Sequence, residues 1–437
     1  MERNLAMARR IARMAEKAGG RVYFVGGFVR DSVMGRESKD VDIEIHGMTA
    51  DAVRKMLGEI GPWKEMGASF GVFALRGYTL DIALPRRGGG KGEDADIDPF
   101  MGVEEAARRR DFTMNAMMRD ALTGALIDRF GGQADIQNRV IRHVDERTFR
   151  RDPLRAIRAA QFAARLEFAI APETMALCRT LDLDGLARER MMGEMEKALT
   201  RSGRPSRCFE ALREMGQLEP WLKEVAALIG VKQRADCHPE GDAWTHTMLV
   251  VDEAAKLRDE AKNPTGLMLA ALLHDVGKAV AMQEKDGVIH AYGHETAGVP
   301  LAEEFLRRLT GEKALCRYVL NMVELHMKPN MYAAQNSGQK AWNRLFDRSA
   351  CPEDLLLLEK ADHRGRINAA PYAETERTIR ARLSAYEEMM ARPHVTGADL
   401  LARGIQPGEE MGRLLEEAHR LRLAGVKKED ALRQMRL

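Results

Sequence analysis

The fold of this 437-residue chain is decided by VGGFVRD at residues 25–31 and DVD at residues 40–42. Around these motifs, apolar runs alternate with turn residues, which predicts a strand, a turn, a short helix and a second strand. Because side chains on a strand alternate between its faces, we expect Asp40 and Asp42 on one face. Two carboxylates placed in this way are suited to hold two Mg²⁺ ions that activate a hydroxyl and neutralise a leaving pyrophosphate.

The glycine pair Gly26-Gly27 is predicted to let the backbone approach phosphate groups, because glycine has no Cβ and its N–H can donate to oxygen. Arg30 follows the turn and can pair with a phosphate. Residues 71–84 predict a hairpin turning near Arg76-Gly77, whose second strand carries Asp81 as a possible third carboxylate. The alternative is a tight turn beside a solvated acidic strand end.

The next segment combines a glycine-rich loop with a run of arginines. Residues 86–100 predict a loop, and their GGGKG run lacks the Ser or Thr that a Walker A motif requires after lysine. Arg108, Arg109 and Arg110 then enter a helix, where they can bind phosphates of a nucleotide or of RNA. Asp111 and Asn115, four residues apart, share one face of that helix. A solvated basic helix start is the alternative.

A helix beginning at about Arg151-Asp152-Pro153 carries Asp152 and Arg155 as neighbours. Asp only accepts hydrogen bonds and Arg only donates them, so the pair is complementary to the amino group and ring nitrogen of cytosine or adenine. Uracil and guanine present the reverse pattern. The pair can therefore prefer C and A over U and G but cannot choose between C and A. The alternative is a simple intrahelical salt bridge.

The second half concentrates histidines, with seven of the eleven between residues 238 and 363. His246 lies in a helical run, and His274-Asp275 follows an apolar run, so imidazole and carboxylate can reach one ion. A bound metal there would turn water into hydroxide for attack on phosphorus. Asp362, which precedes His363 further along the chain, is a further candidate ligand for this metal. Two further histidines, His294 and His326, are candidates for a second metal or for phosphate.

Composition limits the classes of function. Hydrophobic residues make up 45% and charged residues 31% of the chain, which is a soluble globular balance with a bias toward helices. The net charge of +2 means that any nucleic-acid contact comes from local basic patches. We expect no membrane span and no secretory signal. The five cysteines form no CxxC pair and predict reduced thiols in a cytoplasmic protein: Cys178, Cys208, Cys237, Cys316 and Cys351.

Several motifs together resemble one family, the class II tRNA nucleotidyltransferases, in which CCA-adding enzymes are grouped with bacterial poly(A) polymerases. The resemblance covers about residues 15–230 and, more loosely, the tail. The histidine-rich stretch resembles the HD phosphohydrolase superfamily, whose motif is carried here by His246, His274, Asp275 and Asp362. The nucleotidyltransferase motifs are residues 25–31, 40–42, 109–116, 128–133 with Arg142, 152–155 and 162–165.

The resemblance implies a nucleotide site in the N-terminal part. It implies that Gly27, Arg30 and Arg110 contact the phosphates or the sugar of the incoming nucleotide. It also implies that Asp40 and Asp42 are catalytic and bind Mg²⁺. CTP, ATP and tRNA are the implied partners.

The resemblance further implies that Asp152 and Arg155 act as a protein template for the base, with Arg158 nearby. Two departures bear on base positioning, because Arg151 stands where the family often has Glu and Gln161 where it often has Arg. The HD resemblance implies a 2′,3′-cyclic phosphodiesterase or a phosphatase with a divalent metal. This combination would trim or repair RNA ends before addition.

We therefore predict an α+β protein in four parts. A small mixed-sheet nucleotidyltransferase head spans 1–140, an all-α neck that reads the base and RNA spans 141–230, an all-α HD domain spans 231–375, and a helical tail spans 376–437. A poly(A) polymerase or a CC- or A-only adding enzyme is one alternative, although such polymerases usually lack a histidine-rich domain and are more basic. An RNA-binding HD phosphohydrolase with a degenerate head is another.

Overall fold

The computed structural model divides into two compact units. Unit 1 comprises Met1–Glu194 and Glu210–Gln217, and unit 2 comprises Met195–Phe209 and Leu218–Leu437. The glycine-rich run of the predicted loop and Cys237 lie outside the described residues. The structure describes residues 1–38, 40–65, 71–87, 97–234, 236, 238–285, 288–368 and 371–436.

Unit 1 contains a seven-stranded mixed sheet. Its strands are β1 (Arg21–Val25), β2 (Val41–His46), β3 (Trp63–Glu65), β4 (Val72–Leu75), β5 (Leu80–Ala83), β6 (Met118–Asp120) and β7 (Leu126–Ile127). The strand order is β3-β4-β5-β2-β1-β6-β7, in which β2 and β5 are parallel and the other neighbours are antiparallel. The predicted strand–turn–helix–strand and the β4–β5 hairpin are both present.

Helices of 4 to 16 residues precede, separate and follow these strands along the chain. They are α1 (Glu2–Lys17), α2 (Gly26–Val33), α3 (Ala50–Gly58), α4 (Val103–Arg108), α5 (Thr113–Ala116), α6 (Gly132–Gln137), α7 (Glu146–Phe149), α8 (Leu154–Leu166) and α9 (Pro172–Cys178). Strands β8 (Val140–Ile141) and β9 (Ala169–Ile170) form a separate parallel pair within the region predicted to be helical. Each has only two residues, too few for a period-two pattern to be visible in the sequence.

The alternation of side chains along β2 decides where the polar groups of the sheet lie. Val41, Ile43 and Ile45 are fully buried in a core shared with α1 and α3. Asp42 and Glu44 therefore project from the other face, because neighbouring residues on a strand point to opposite faces. On that face, a second apolar cluster includes residues of β1, α4 and α5. The site is thus built on the face of β2 opposite the main core.

Two helices cross the border between the units, α10 (Arg188–Arg201) and α11 (Ser206–Met215). The segment Glu210–Gln217 belongs to unit 1 although residues on either side of it belong to unit 2. Buried Gln217 ends this segment, and its amide donates to the carbonyls of Cys178 and Leu181, both at 2.8 Å. The returning segment is therefore tied to the C-terminal end of α9 by satisfied hydrogen bonds.

Unit 2 is predominantly helical. Its helices are α12 (Lys223–Ala226), α13 (Ala243–Leu257), α14 (Pro264–Leu273), α15 (Lys278–Ala281), α16 (His294–Leu309), α17 (Lys313–Leu325), α18 (Met327–Ala334), α19 (Gln339–Arg348), α20 (Pro352–Gly365), α21 (Ala373–Ala391), α22 (Gly397–Leu401), α23 (Glu409–Leu423) and α24 (Lys428–Gln434), with a 3₁₀ turn at Arg258–Glu260. One short antiparallel pair joins β10 (Gln283–Lys285) to β11 (Val288–His290).

Helix α14 lies at the centre of this helical unit. Residues 266–273 are all buried, as expected for a helix that is apolar on every side, and α14 packs against α13, α17 and α20. The α+β class is confirmed, with two short strand pairs added to the helical regions. Cys178, Cys316 and Cys351 are free thiols. No described helix has the length and apolarity needed to cross a membrane. The four-part division remains a prediction.

Glu359 on α20 provides a test of the packing in unit 2. Its carboxylate is buried, Tyr372 Oη donates to it, and its Oε1 has no hydrogen-bond partner among the described residues. Burial raises the pKa of Glu359 from 4.5 to about 7. The folded chain then keeps a proton that the unfolded chain has released, so stability is lost as pH rises from the unfolded to the folded pKa.

We predict that Glu359→Gln stabilises unit 2 by about 2–3 kcal/mol at pH 8.5, because the variant has no carboxylate to ionise in the core. At pH 4.5 the gain should vanish, since Glu359 is then largely protonated when folded. Calorimetric unfolding of parent and variant at both pH values measures this. Exposed Glu312→Gln serves as the control, and an equal gain at both pH values would contradict the prediction.

Candidate active sites

Three carboxylates lie close together at the start of the neighbouring interior strands β2 and β5 of unit 1. Asp42 on β2 is in register with Asp81 on the parallel strand β5, and exposed Asp40 directly precedes β2. Burial, together with the negative charges of Asp81 and Asp40, raises the pKa of Asp42 to about 6. Carboxylates this close repel one another, and a divalent cation would remove that repulsion. The residues present therefore fit a Mg²⁺ site.

The glycine turn lies directly over Asp42. A Cβ built on Gly26 would be 3.6 Å from Arg110 Nη1 and 3.7 Å from Asp42 Oδ2, and the φ of +63° at Gly26 favours glycine. The turn opens helix α2, whose first N–H groups lack partners within the helix and can donate to an anion. The predicted proximity of the glycine pair, the carboxylates and Arg110 is therefore present.

Arg30 is held inside the protein by two neighbours. The side chain is buried and donates to Asp31 at 2.7 and 2.8 Å and to Asn115 at 2.9 Å. Its guanidinium also lies 5.2 Å from the centre of the Phe162 ring. In this arrangement Arg30 fixes the turn and the helix behind it, and direct contact with a phosphate remains a prediction.

Glu44 is a buried residue of the site that the motifs did not indicate. It accepts a hydrogen bond from Arg110 at 3.0 Å and lies 2.8 Å from His46 Nε2. Burial opposes its ionisation, but Arg110 and His46 outweigh that effect and lower the pKa of Glu44. The sequence signal was an acid two residues after Asp42 on an otherwise apolar strand. Glu44 thus holds Arg110 beside the carboxylates.

Asp111 connects this site to helix α8. Arg158 donates to Asp111 at 2.6 and 2.9 Å and to Glu194 at 3.1 Å. Asn115 on α5 donates to Asp111 at 3.0 Å. The prediction that the arginine run enters a helix shared by Asp111 and Asn115 is wrong, because Arg108 ends α4 and Asp111 lies in the turn before α5. Burial opposes ionisation of Asp111, but the charge of Arg158 and the bond from Asn115 lower its pKa. Glu194, from α10, was not predicted, because nothing near it in the sequence marks it.

The two candidate base-reading residues bond to other partners. Asp152 accepts from Arg190 on α10 at 2.7 Å, so the salt bridge at Asp152 is to another helix. Arg155 donates to the carbonyl of Arg109 at 2.7 Å and to that of Arg110 at 3.4 Å. Asp152 and Arg155 therefore bond to other residues and do not form the simple salt bridge that was the alternative. Arg155 instead anchors the arginine run to α8.

The two departures from the family pattern lie in different surroundings. Arg151 is exposed, whereas Gln161 on α8 is 1% exposed. The Gln161 Nε2 atom has no hydrogen-bond partner among the described residues. A neutral amide therefore fills a buried position at which the family often has a cation.

The histidines of unit 2 converge as the sequence predicted. His246 on α13, His274-Asp275 after α14, His294 at the start of α16, His326 after α17 and Asp362 on α20 are all buried. Three ligand sets have all their ligand atoms within 4.8 Å of one another, and two of them contain Asp275. One of these two adds His246 and His274, and the other adds His294 and His326. The third set is His238, Glu240 and His246. The arrangement offers two cation positions that share one carboxylate.

Backbone carbonyls fix the orientation of three of these imidazoles. In each case Nδ1 lies 2.8 Å from the carbonyl three residues earlier, so Nδ1 carries the proton and Nε2 points inward. The three rings are those of His274, His294 and His326. His274 Nε2 has no hydrogen-bond partner among the described residues, although it lies 3.1 Å from Asp275. A buried nitrogen left in this state fits a metal ligand.

Charged groups surround the shared carboxylate. Asp275 Oδ2 lies 2.6 Å from Lys278 Nζ, and Asp275 Oδ1 lies 3.1 Å from His294 Nε2. Asp362 lies 2.9 Å from both His246 Nε2 and Arg366 Nη2. Burial opposes ionisation of Asp275, but His274 and Lys278 lower its pKa well below the ordinary range. Both carboxylates are therefore available as anionic ligands.

Glu240 was missed by the sequence analysis. Its Oε1 lies 2.8 Å from Nδ1 of both His238 and His246, and its Oε2 accepts from the N–H of Ile367. His246 thus receives from a carboxylate the support that the other imidazoles receive from carbonyls. The only sequence signal was its position six residues before His246.

Known proteins resemble this chain in both sequence and fold. Three family models match, described as poly A polymerase head domain at residues 22–142, probable RNA and SrmB-binding site of polymerase A at 167–229, and HD domain at 243–385. The multifunctional CCA protein of Burkholderia cenocepacia is 36% identical over 428 residues, which cover 93% of this chain and 98% of the relative. The chain belongs to the multifunctional CCA protein family. The resemblance inferred from the motifs is confirmed.

Other members and solved structures of CCA enzymes agree. The multifunctional CCA protein of Actinobacillus pleuropneumoniae is 34% identical over 427 residues, covering 93% of this chain and 98% of the relative. The Bacillus stearothermophilus CCA-adding enzyme in complex with CTP has a TM-score of 0.65 at 25% identity, covering 97% of this chain and 94% of that one. The Thermotoga maritima CCA-adding enzyme complexed with tRNA has a TM-score of 0.64 at 18% identity, covering 98% and 95%, and shows the shared fold.

In this CCA family member, Glu240 allows a test of the ligand cluster. We predict that Glu240→Ala weakens divalent-metal binding in unit 2 by about 10- to 100-fold, because His246 loses the group that orients it. Calorimetric titration of the metal-stripped protein with Mn²⁺ or Ni²⁺ measures the change. Exposed Glu312→Ala is the matched control. An affinity equal to that of the parent would show that Glu240 does not position His246.

Proposed function

We propose that unit 1 transfers CMP and AMP from CTP and ATP to the 3′ end of tRNA without a nucleic-acid template, adding or repairing CCA. The observation that carries the proposal is Asp42 in register beside Asp81 under the glycine turn, in a chain of the CCA family. The attacking 3′-hydroxyl oxygen forms a bond to the α-phosphorus while the bond to pyrophosphate breaks. Phosphoryl transfer of this kind depends on positioning and on charge neutralisation.

Mg²⁺ held by Asp40 and Asp42, with Asp81 as a further ligand, would supply the positive charge at the phosphates. The N–H groups of Gly26 and Gly27 donate to phosphate oxygens at the start of α2. Arg110 supplies a second positive charge, held in place by Glu44. The raised pKa of Asp42 supports this assignment, because burial and the charges of Asp81 and Asp40 both disfavour its carboxylate, and a bound cation would offset both effects.

Base selection is assigned to Asp152 and Arg155, with Arg158 holding the helix. The bond from Arg190 to Asp152 is compatible with this role, because a carboxylate has acceptor positions for more than one donor. Arg155 is fixed by the carbonyls of Arg109 and Arg110, which places the base-reading helix in direct contact with the arginine run. The amino group of C or A would be accepted and the carbonyl oxygen of U or G rejected.

We propose that unit 2 is a phosphohydrolase that acts on phosphate esters at RNA ends, as a 2′,3′-cyclic phosphodiesterase or a phosphatase. A divalent metal at the cluster would make hydroxide available near neutral pH. The ligands assigned to it are His246, His274, Asp275 and Asp362. Lys278 and Arg366 place positive charge beside the two carboxylates, where phosphate oxygens would bind.

The remaining assignments follow from the same family membership. The head is assigned to 1–140, the RNA- and base-reading neck to 141–230, the HD domain to 231–375 and the tail to 376–437. Mg²⁺ is the proposed metal of the head. The protein is expected to act in the cytoplasm, on tRNA.

We predict that the two activities separate by mutation. Asp42→Ala should lower incorporation of CMP and AMP into tRNA lacking its 3′ end by about 100-fold or more, exceeding the 10–100-fold typical for an outer-shell residue. Hydrolysis of a 2′,3′-cyclic nucleotide should be unchanged. Asp275→Ala should abolish hydrolysis of the cyclic nucleotide and leave incorporation of CMP and AMP unchanged. The control is Asp51→Ala, whose side chain is 91% exposed in the same unit.

Sequencing the extended tRNA decides between products. A terminal CCA supports the proposal, whereas an oligo(A) tail or a CC or A end supports one of the partial or poly(A) alternatives. An Asp42→Ala variant as active as the parent would show the metal assignment to be wrong. A parent that hydrolyses esters but never incorporates nucleotides would favour an HD hydrolase with a degenerate head.

We also predict that Asp152→Ala relaxes base selection. One good bidentate contact discriminates by about 1–3 kcal/mol, so the preference for CTP and ATP over UTP and GTP should fall by about five- to 150-fold. Single-nucleotide incorporation with each of the four triphosphates measures the ratio. Exposed Asp184→Ala is the control, and unchanged selectivity in Asp152→Ala would rule out the protein template.

A further inference from the structure

A cavity of about 220 Å³ lies beside the metal-ligand cluster of unit 2. Asp275, His294 and Asp362 line it, so an ester bound there reaches the proposed site of hydrolysis. Its other lining residues include two aromatic rings from the end of the β10–β11 hairpin and a group of polar side chains on α15 and before α13. Lys278 on α15 is the charge already placed beside the phosphate oxygens, whereas the two rings and Gln233 lie outside the ligand cluster.

The aromatic rings are those of His290 and Tyr292. They stack with centroids 4.8 Å apart and planes 14° from parallel. Tyr292 is nevertheless 83% exposed, which is unusual for a large aromatic side chain. His290 therefore supports one face of the Tyr292 ring, while the ring remains accessible to solvent. An exposed aromatic ring supported in this way is suited to stack with a nucleobase.

The polar group contains an unsatisfied donor. Gln233 is 8% exposed and accepts from Lys278 Nζ at 2.6 Å through its Oε1. The Nε2 atom of the same amide is buried and has no hydrogen-bond partner among the described residues. Lys278 itself contacts Asp275 of the metal cluster. A buried amide donor next to a lysine and a metal site is what an anionic phosphate oxygen or a ribose hydroxyl would satisfy.

We propose that this cavity is a subsite for the terminal nucleoside, in which Tyr292, backed by His290, stacks with the base and Gln233 with Lys278 binds the phosphate or ribose. The inference rests on the proposed phosphohydrolase function and specifies its substrate class. A ligand that contacts both the Tyr292 ring and the Gln233–Lys278 pair carries an aromatic ring and a phosphate. The cavity should therefore prefer nucleotides over small phosphate esters. The exposure of Tyr292 leaves room for a nucleotide attached to an RNA chain.

The test compares esters with and without a base. The pairs are adenosine 2′,3′-cyclic phosphate with glycerol 1,2-cyclic phosphate, and adenosine 2′- and 3′-monophosphates with glycerol 2-phosphate. Tyr292→Ala should lower kcat/KM for the adenosine esters by about five- to 150-fold, mainly through KM, and leave the glycerol esters unchanged. Tyr292→Phe should retain the parent's preference, because the ring remains.

Two further variants sharpen the interpretation. Gln233→Leu, of similar size, should lower kcat/KM for adenosine and glycerol esters alike, because it removes a donor to the part that they share. Phe100 is 70% exposed in unit 1, so Phe100→Ala controls for loss of an exposed aromatic residue. Equal losses on both ester classes in Tyr292→Ala, or no loss on either, would overturn the subsite.

Failure of the proposed hydrolase function has a different signature. If the parent hydrolyses none of these esters, that function is wrong, and equilibrium binding of adenosine 2′-monophosphate then decides the subsite. Binding should weaken in Tyr292→Ala and persist in Tyr292→Phe, while any binding by the head stays the same in both variants. Equal binding by the two variants would overturn the subsite.

Discussion

The buried carboxylate of Asp111 is the constraint on which the proposed nucleotide site of unit 1 depends. Its oxygens accept from Arg158, from Asn115 and from the N–H of Phe112, and Asn115 in turn accepts from Arg30. Removing one partner of a buried ion pair typically costs about 3–5 kcal/mol, because the other charge remains buried and unpaired. The glycine turn, the arginine run and helix α8 are thus held in one hydrogen-bonded network.

Unit 2 uses a different means to place its functional groups. Three of its imidazoles sit at or beside helix ends, and in each case the carbonyl three residues earlier accepts from Nδ1. The fold thereby fixes which nitrogen carries the proton before any ligand is bound. His246 lies in the first turn of α13, and there the carboxylate of Glu240 takes the place of the carbonyl beside Nδ1. Helix termini and one acid thus preorganise the cluster.

Local patterns predicted most of the architecture and the chemical groups. The strand and turn around Gly26 and the hairpin carrying Asp81 follow from period-two alternation and glycine position, which depend on near neighbours. Glu44 was within reach of the same argument, because it has the register of Asp42. Glu194 and Arg190 were not, since both act from α10 on partners about 36 to 38 residues earlier in the chain. Their roles arise from tertiary packing, which no local pattern encodes.

In unit 2, too, the roles that depend on tertiary packing could not be predicted from local patterns. The histidines and aspartates were found because their residue types are rare and chemically distinctive. Glu240, Gln233 and Tyr292 were overlooked because acids, amides and tyrosines are common on surfaces. Glu240 is distinguished by its burial beside His246, and Gln233 by an amide nitrogen that has no partner among the described residues. Tyr292 is distinguished by a ring that stacks on His290. These properties belong to the folded chain and become visible only there.

The return of Glu210–Gln217 to unit 1 makes the chain topologically interlaced. Any single cut between the units leaves one fragment with residues that belong to the other: a fragment ending at Glu194 loses the amide of Gln217 that bonds to Cys178 and Leu181. One ending at Gln217 carries away Met195–Phe209 from unit 2. A contiguous fragment therefore cannot contain the whole of one unit without residues of the other. Separating the two units by truncation would require removing an internal segment and not only one end of the chain.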